Sequence, residues 1–124
     1  MLPKILVADD DLDNRTIATE ALEAAGYEVF CAVNGLEAVN LAVKELPDLI
    51  LLDLSMPVMD GWHSVERLKN DPDTAKIPVI AFTAHALKNE MEKAKAAGCD
   101  DVLTKPCAPR QMIERVKQWL PKKS

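Results

Sequence analysis

The sequence predicts an α/β protein of the doubly wound class, a parallel sheet with helices on both faces. Five short apolar runs alternate with five helical patterns along the chain. Several runs lack the polar alternation of a half-exposed strand, as expected where a strand is covered on both sides. Strictly alternating strand and helix units in turn imply parallel neighbours joined by right-handed crossovers. The 124 residues fit one domain, and no internal repeat, low-complexity tract or interdomain linker interrupts them. Residues 1–124 are therefore read as a single domain.

The first run, Ile5 to Ala8, ends in Asp9-Asp10-Asp11. Ile17, Ala18, Ala21, Leu22 and Ala25 follow on one helical face, with Asp11 or Asp13 available as the cap and Gly26 as the stop. Glu28 to Ala32 makes the second strand. Leu36, Val39, Ala42, Val43 and Leu46 form the second stripe, broken by Pro47. Leu49 to Leu52 is the third strand, and Asp53 comes directly after it. Trp62, Val65 and Leu68 make a shorter stripe before Asn70-Asp71-Pro72. Val79 to Phe82 is the fourth strand, delivering Thr83 at its end. Leu87, Met91 and Ala94 give the fourth helix, closed by Gly98. Val102-Leu103 is the fifth strand and leads into Thr104-Lys105-Pro106. A last helix carries Met112, Ile113, Val116, Trp119 and Leu120 before Pro121.

Composition narrows the function classes. Apolar residues make up 48% of the chain but aromatics only 4%, which predicts an aliphatic core and disfavours a ligand site built on ring stacking. A formal net charge of −5 offers no basic face to nucleic acid or to an anionic membrane. The N-terminal apolar run is too short for a signal peptide or a membrane span, so a cytoplasmic protein is expected. Cys31, Cys99 and Cys107 form no CxxC pair and no metal spacing, which points to reduced structural thiols.

In a doubly wound sheet, ligands bind beyond the carboxyl ends of the strands. Four of the five strand ends here carry a polar or charged group. An acid before a helix is often only a cap, and Thr is a common strand residue, but no neighbouring helix pattern needs Asp53. Two unit charges about 5 Å apart repel by roughly 3 kcal/mol at an effective dielectric near 20, so three converging carboxylates approach roughly 10 kcal/mol before screening. A cation would neutralise that repulsion, and an all-oxygen donor set suits Mg²⁺, with Mn²⁺ as a substitute. A metal among acids would also draw in a phosphoryl group and leave one carboxylate free to attack phosphorus. Lys105 could then hold one phosphate oxygen and the Thr83 hydroxyl another. Neither His63 nor His85 belongs to a nucleophile or metal constellation, and His63 is expected on a solvated helix surface.

The segments Ile5-Leu6-Val7-Ala8-Asp9-Asp10-Asp11, Leu52-Asp53-Leu54-Ser55-Met56-Pro57-Val58-Met59-Asp60-Gly61, Phe82-Thr83-Ala84 and Leu103-Thr104-Lys105-Pro106 occur in the order of a known signature. Together they resemble the receiver domains of two-component response regulators, over essentially the whole chain. The resemblance implies a (βα)5 flavodoxin-like sheet in the strand order 2-1-3-4-5. It also implies Asp53 as phosphoacceptor, Asp10 as direct cation ligand, Asp9 acting mostly through a metal-bound water, and the Ser55 carbonyl as a further ligand. Thr83 and Lys105 would hold the phosphoryl oxygens, with the Lys105-Pro106 bond cis. Ser55 and His85 would tune loss of the phosphoryl group.

The expected partners are a histidine kinase or histidine phosphotransfer protein and a downstream protein target, which makes the chain a signalling switch rather than a turnover enzyme. The family's aromatic switch position is Val102 here, a departure that removes the ring from the usual coupling. The helix Lys88 to Ala97 is the candidate surface that changes. Segment Asp11-Leu12-Asp13-Asn14-Arg15 is similar to receivers attached to hybrid histidine kinases.

Three rival functions remain open on the sequence. An aspartyl-phosphate phosphohydrolase needs room for a substrate that this chain lacks. A flavin carrier needs a phosphate loop that three acids would repel. A receiver-like docking module would never be phosphorylated.

Overall fold

In a computed structural model, the structure describes residues 2–53, 61–83, 92, 95, 96, 98–104 and 108–120. In chain order the elements are β1 (Lys4–Ala8), α1 (Leu12–Ala24), β2 (Glu28–Ala32), α2 (Gly35–Glu45), β3 (Leu49–Asp53), α3 (Gly61–Asn70), β4 (Val79–Thr83), β5 (Asp101–Thr104) and a C-terminal helix, Pro109–Trp119. All five strands are parallel, in the order β2-β1-β3-β4-β5. The doubly wound expectation and its strand order therefore hold. Residues 92, 95 and 96, within the expected fourth helix, are helical.

Alternation along the strands sorts the core into two layers. Leu6, Ala8, Ile50, Leu52, Val79, Ala81 and Val102 face α2 and α3, packing with Ala38, Val39, Ala42, Val65 and Leu68. Ile5, Val7, Leu49, Leu51, Ile80 and Leu103 face α1 and the C-terminal helix, packing with Ala18, Leu22, Met112 and Val116. Every residue of β3 is buried, which explains why Leu49 to Leu52 show no polar alternation before Asp53. β2 is an edge strand with exposed and half-buried positions.

Helix ends follow local chemistry. Asp11 caps α1 by accepting from the Asp13 and Asn14 N–H groups at 2.8 and 3.2 Å, so Asp11 and not Asp13 is the cap. Gly26, at φ +97°, ends the helix in a left-handed conformation that a Cβ would strain. Asn34 caps α2 through the Glu37 N–H at 2.8 Å. At the other end of α2, Leu46 takes up φ 47° just ahead of Pro47.

Two of the stripes differ from expectation. Ile17 is 52% exposed, and so are Leu36 at 41%, Val43 at 45% and Leu46 at 51%. On α2 the inward positions are Gly35, Ala38, Val39 and Ala42, small residues that let the helix lie close to the sheet. At 3.6 residues per turn, Leu36 and Val43 sit roughly a quarter-turn from the centre of that face, while Leu46 has already left the helix. Ile17 is displaced by a similar angle from Ala18, Ala21, Leu22 and Ala25. Among the described residues, no helix is long and apolar enough to cross a membrane.

A functional site at the carboxyl ends of the strands

Strand register brings the acids together. Ala8 of β1 lies opposite Leu52 of β3, so the residues that follow, Asp9 just beyond β1 and Asp53 at the end of β3, stand at the same level. Asp53 lies opposite Phe82, and Thr83 opposite Thr104, so the ends of β3, β4 and β5 also share this rim. One carboxylate oxygen from each of Asp9, Asp10 and Asp53 lies within 4.8 Å of the others. Asp9 and Asp53 are buried, at 6% and 3% exposure, whereas Asp10 is exposed. Asp11, part of the same acidic run, is instead committed to the α1 cap.

Asp9 is held by its surroundings at several atoms. Its N–H donates to the Ala32 carbonyl at 3.1 Å, which ties it to the end of β2. Its Oδ1 accepts from the Asp11 N–H at 2.9 Å. Its carbonyl oxygen accepts from Arg15 Nη1 at 2.8 Å. The sequence marks Arg15 only as part of the segment Asp11-Leu12-Asp13-Asn14-Arg15 and gives it no role at the site. The one signal for it was its place in the first turn of α1, where the helix macrodipole disfavours a cation unless a local partner offsets the cost.

The donor set fits a hard divalent ion. At 4.8 Å and an effective dielectric near 20, each pair of ionised carboxylates repels by about 3.5 kcal/mol, and exposure of Asp10 screens only the pairs that include it. Two buried acids beside a third call for a positive charge, and three carboxylates, one of them exposed to solvent, suit Mg²⁺ or Mn²⁺.

The remaining site expectations are placed unevenly. Thr83 ends β4, but its side chain lies outside the described residues, as do Ser55, His85, Cys107, Lys105 and the Lys105-Pro106 bond. His63 is exposed on α3 and stands outside the acidic group. Val102 is buried in β5 opposite Ala81.

Comparison with known proteins agrees with this geometry. The chain matches the family model for the response regulator receiver domain over residues 5–117. It is 38% identical over 120 residues to the polar-differentiation response regulator DivK of Brucella anthropi, a match covering 96% of this chain and 98% of that protein. The receiver domain of the sensor histidine kinase PA1611 from Pseudomonas aeruginosa PAO1, solved with a magnesium ion coordinated in its active-site cleft, has a TM-score of 0.90 at 30% identity and covers 98% of this chain and 100% of its own. A chain in the co-crystal structure of the Saccharomyces cerevisiae histidine phosphotransfer signaling protein Ypd1 and the receiver domain of Ssk1 has a TM-score of 0.88 at 26% identity, covering 95% and 88%. The sheet order, the acidic rim and these matches over nearly the full length lead to one assignment: the chain belongs to the response regulator receiver domain family.

Proposed function

We propose that this receiver domain accepts a phosphoryl group on Asp53 from a histidine kinase or histidine phosphotransfer protein, in a Mg²⁺-dependent reaction that changes its protein-interaction surface. The observation that carries this reading is the buried Asp53 carboxylate at the end of β3, within 4.8 Å of carboxylate oxygens of Asp9 and Asp10. Relatives with a bound magnesium ion and with a phosphotransfer partner support the same chemistry.

In the proposed step an oxygen of Asp53 attacks phosphorus as the P–N bond to the donor's imidazole breaks. The electron pair goes to the imidazole nitrogen, and an acyl phosphate forms on Asp53. Asp9, Asp10 and Asp53, with the Ser55 carbonyl as the family resemblance implies, would hold Mg²⁺ or Mn²⁺. That ion would supply positive charge to the phosphoryl oxygens. Burial of Asp9 and Asp53 keeps bulk water from screening the site. Thr83 and Lys105 are assigned the phosphoryl oxygens on the resemblance, the first as hydroxyl donor and the second as a point charge.

The chain is then a switch that promotes its own phosphoryl transfer and turns over no separate substrate. Its output target is another protein, and its net charge of −5 argues against direct nucleic-acid binding. A cytoplasmic location follows from a donor that depends on a kinase. A full shift from about 1:99 to 99:1 takes roughly 5.5 kcal/mol of differential stabilisation. One hydrogen bond to a charged group gives about 1.5 to 3 kcal/mol, so Thr83 and Lys105 are both needed. Val102, small and packed against β4, has no ring to exchange between outward and inward positions.

Incubation with a small acyl phosphate and Mg²⁺, read by intact mass, tests the proposal. A phosphate-sized gain is expected in the wild type, lost in Asp53→Asn and on metal chelation. A wild type that never gains mass would identify a docking module instead.

A further inference from the structure

We propose that Arg15 is a positioning residue for the acidic group, fixing the peptide between Asp9 and Asp10 so that their carboxylates face one divalent cation. This rests on the metal-dependent function proposed above. Arg15 Nη1 donates to the Asp9 carbonyl oxygen at 2.8 Å. That oxygen shares a rigid peptide plane with the N–H of Asp10, so holding it sets the direction in which Asp10 leaves the strand end.

The two acids differ in how much help they need. Asp9 is buried, with its N–H on Ala32 and its Oδ1 on the Asp11 N–H. Asp10 is exposed, so packing does little to hold its carboxylate toward Asp9 and Asp53. Its backbone must therefore do the aiming, and Arg15 grips the peptide on its N-terminal side.

Arg15 suits that task. Half-buried in the first turn of α1, it sends its side chain back past the helix N-terminus, the direction helical side chains take. Its planar guanidinium is more pre-organised than a lysine ammonium, so less freedom is lost per hydrogen bond. Helix stability does not account for it, because a cation at this end opposes the macrodipole. Its charge also opposes an approaching metal ion. The two effects have opposite sign: loss of positioning weakens metal binding, whereas loss of charge alone tightens it.

Calorimetric titration of Mg²⁺ into the full chain separates them, using wild type, Arg15→Met and Arg15→Lys, with melting temperatures taken in chelator. Arg15→Met is expected to bind Mg²⁺ about ten-fold more weakly, the scale seen when a partner that orients metal ligands is removed. Its metal-free melting temperature should fall by no more than a few degrees, the cost of about one hydrogen bond and one nearby cation, and Arg15→Lys should recover part of the affinity. Wild-type or tighter affinity in Arg15→Met overturns the proposal, as does an affinity loss accompanied by loss of the cooperative metal-free melting transition. A wild type that takes up no Mg²⁺ overturns the metal-dependent function itself.

Discussion

Neutralising Asp53 should stabilise the metal-free protein, and Mg²⁺ should erase the gain. Among the three acids, Asp53→Asn removes two of the three repulsive pairs while keeping one carbonyl oxygen and the side-chain shape. At a separation of 4.8 Å each pair costs about 3.5 kcal/mol at an effective dielectric near 20, about 7 kcal/mol for the two before solvent screening. The pair with Asp10 is screened by solvent because Asp10 is exposed. A net gain of about 1–3 kcal/mol is expected, equivalent to several degrees in melting temperature for a domain of this size. Urea unfolding in chelator and again in excess Mg²⁺ measures it. Added Mg²⁺ should stabilise the wild type by mass action and the variant far less. If Asp53→Asn is no more stable than wild type in chelator, or if both proteins gain equally from Mg²⁺, the electrostatic account of the site is wrong.

Three further outcomes follow from contacts away from the site. Lys69 Nζ donates to the Ala75 and Ile77 carbonyls and to Asp100 Oδ2, at 3.2, 2.8 and 2.8 Å, so Lys69→Met should cost about 2–3 kcal/mol in urea unfolding. Asp101 is pushed up by partial burial, but hydrogen bonds from Trp119, Arg115 and the Val102 N–H outweigh that and hold its carboxyl below the ordinary value. Because the folded-state value is depressed, this stabilisation is present above the unfolded Asp value near 3.9 and is lost as pH falls through the folded one. Stability profiles of wild type and Arg115→Ala should therefore differ at neutral pH and converge in acid. Finally, burial, with the Asp100 charge beside it, pushes the Cys99 thiol up to about 12, while Cys31 is exposed. In a Cys107→Ser background a thiol reagent at mildly alkaline pH should label Cys31 at once and Cys99 only on unfolding.

Much of this architecture is legible in the residue pattern because burial on both faces leaves a distinctive mark. Leu49 to Leu52 could hardly be anything but an inner strand, and no helical pattern next to it in the sequence calls for the acid that follows as a cap. The helices were harder to read, since a large apolar residue does not by itself say which face is inward. Leu36 and Val43 are large apolar residues of α2, yet the sheet accepts the small side of that helix, where Ala38 and Ala42 permit close approach. Choosing Asp11 over Asp13 as the cap likewise required backbone geometry, as both offer the same oxygen. The grouping of Asp9, Asp10 and Asp53 depends on strand register, which a single sequence does not print. The role of Arg15 is not legible in the sequence because its contact is to a main-chain carbonyl, and any residue could supply that acceptor.

The position of β3 bears on where a signal can go. It is hydrogen-bonded to β1 on one side and β4 on the other, and all five of its residues are buried. A strand clamped in this way cannot yield when new charge arrives at its tip. Whatever moves on modification of Asp53 lies beside that strand rather than along it, and the backbone amides of Ile50 and Leu51 should be among the slowest to exchange with deuterated solvent whether or not the acid carries phosphate.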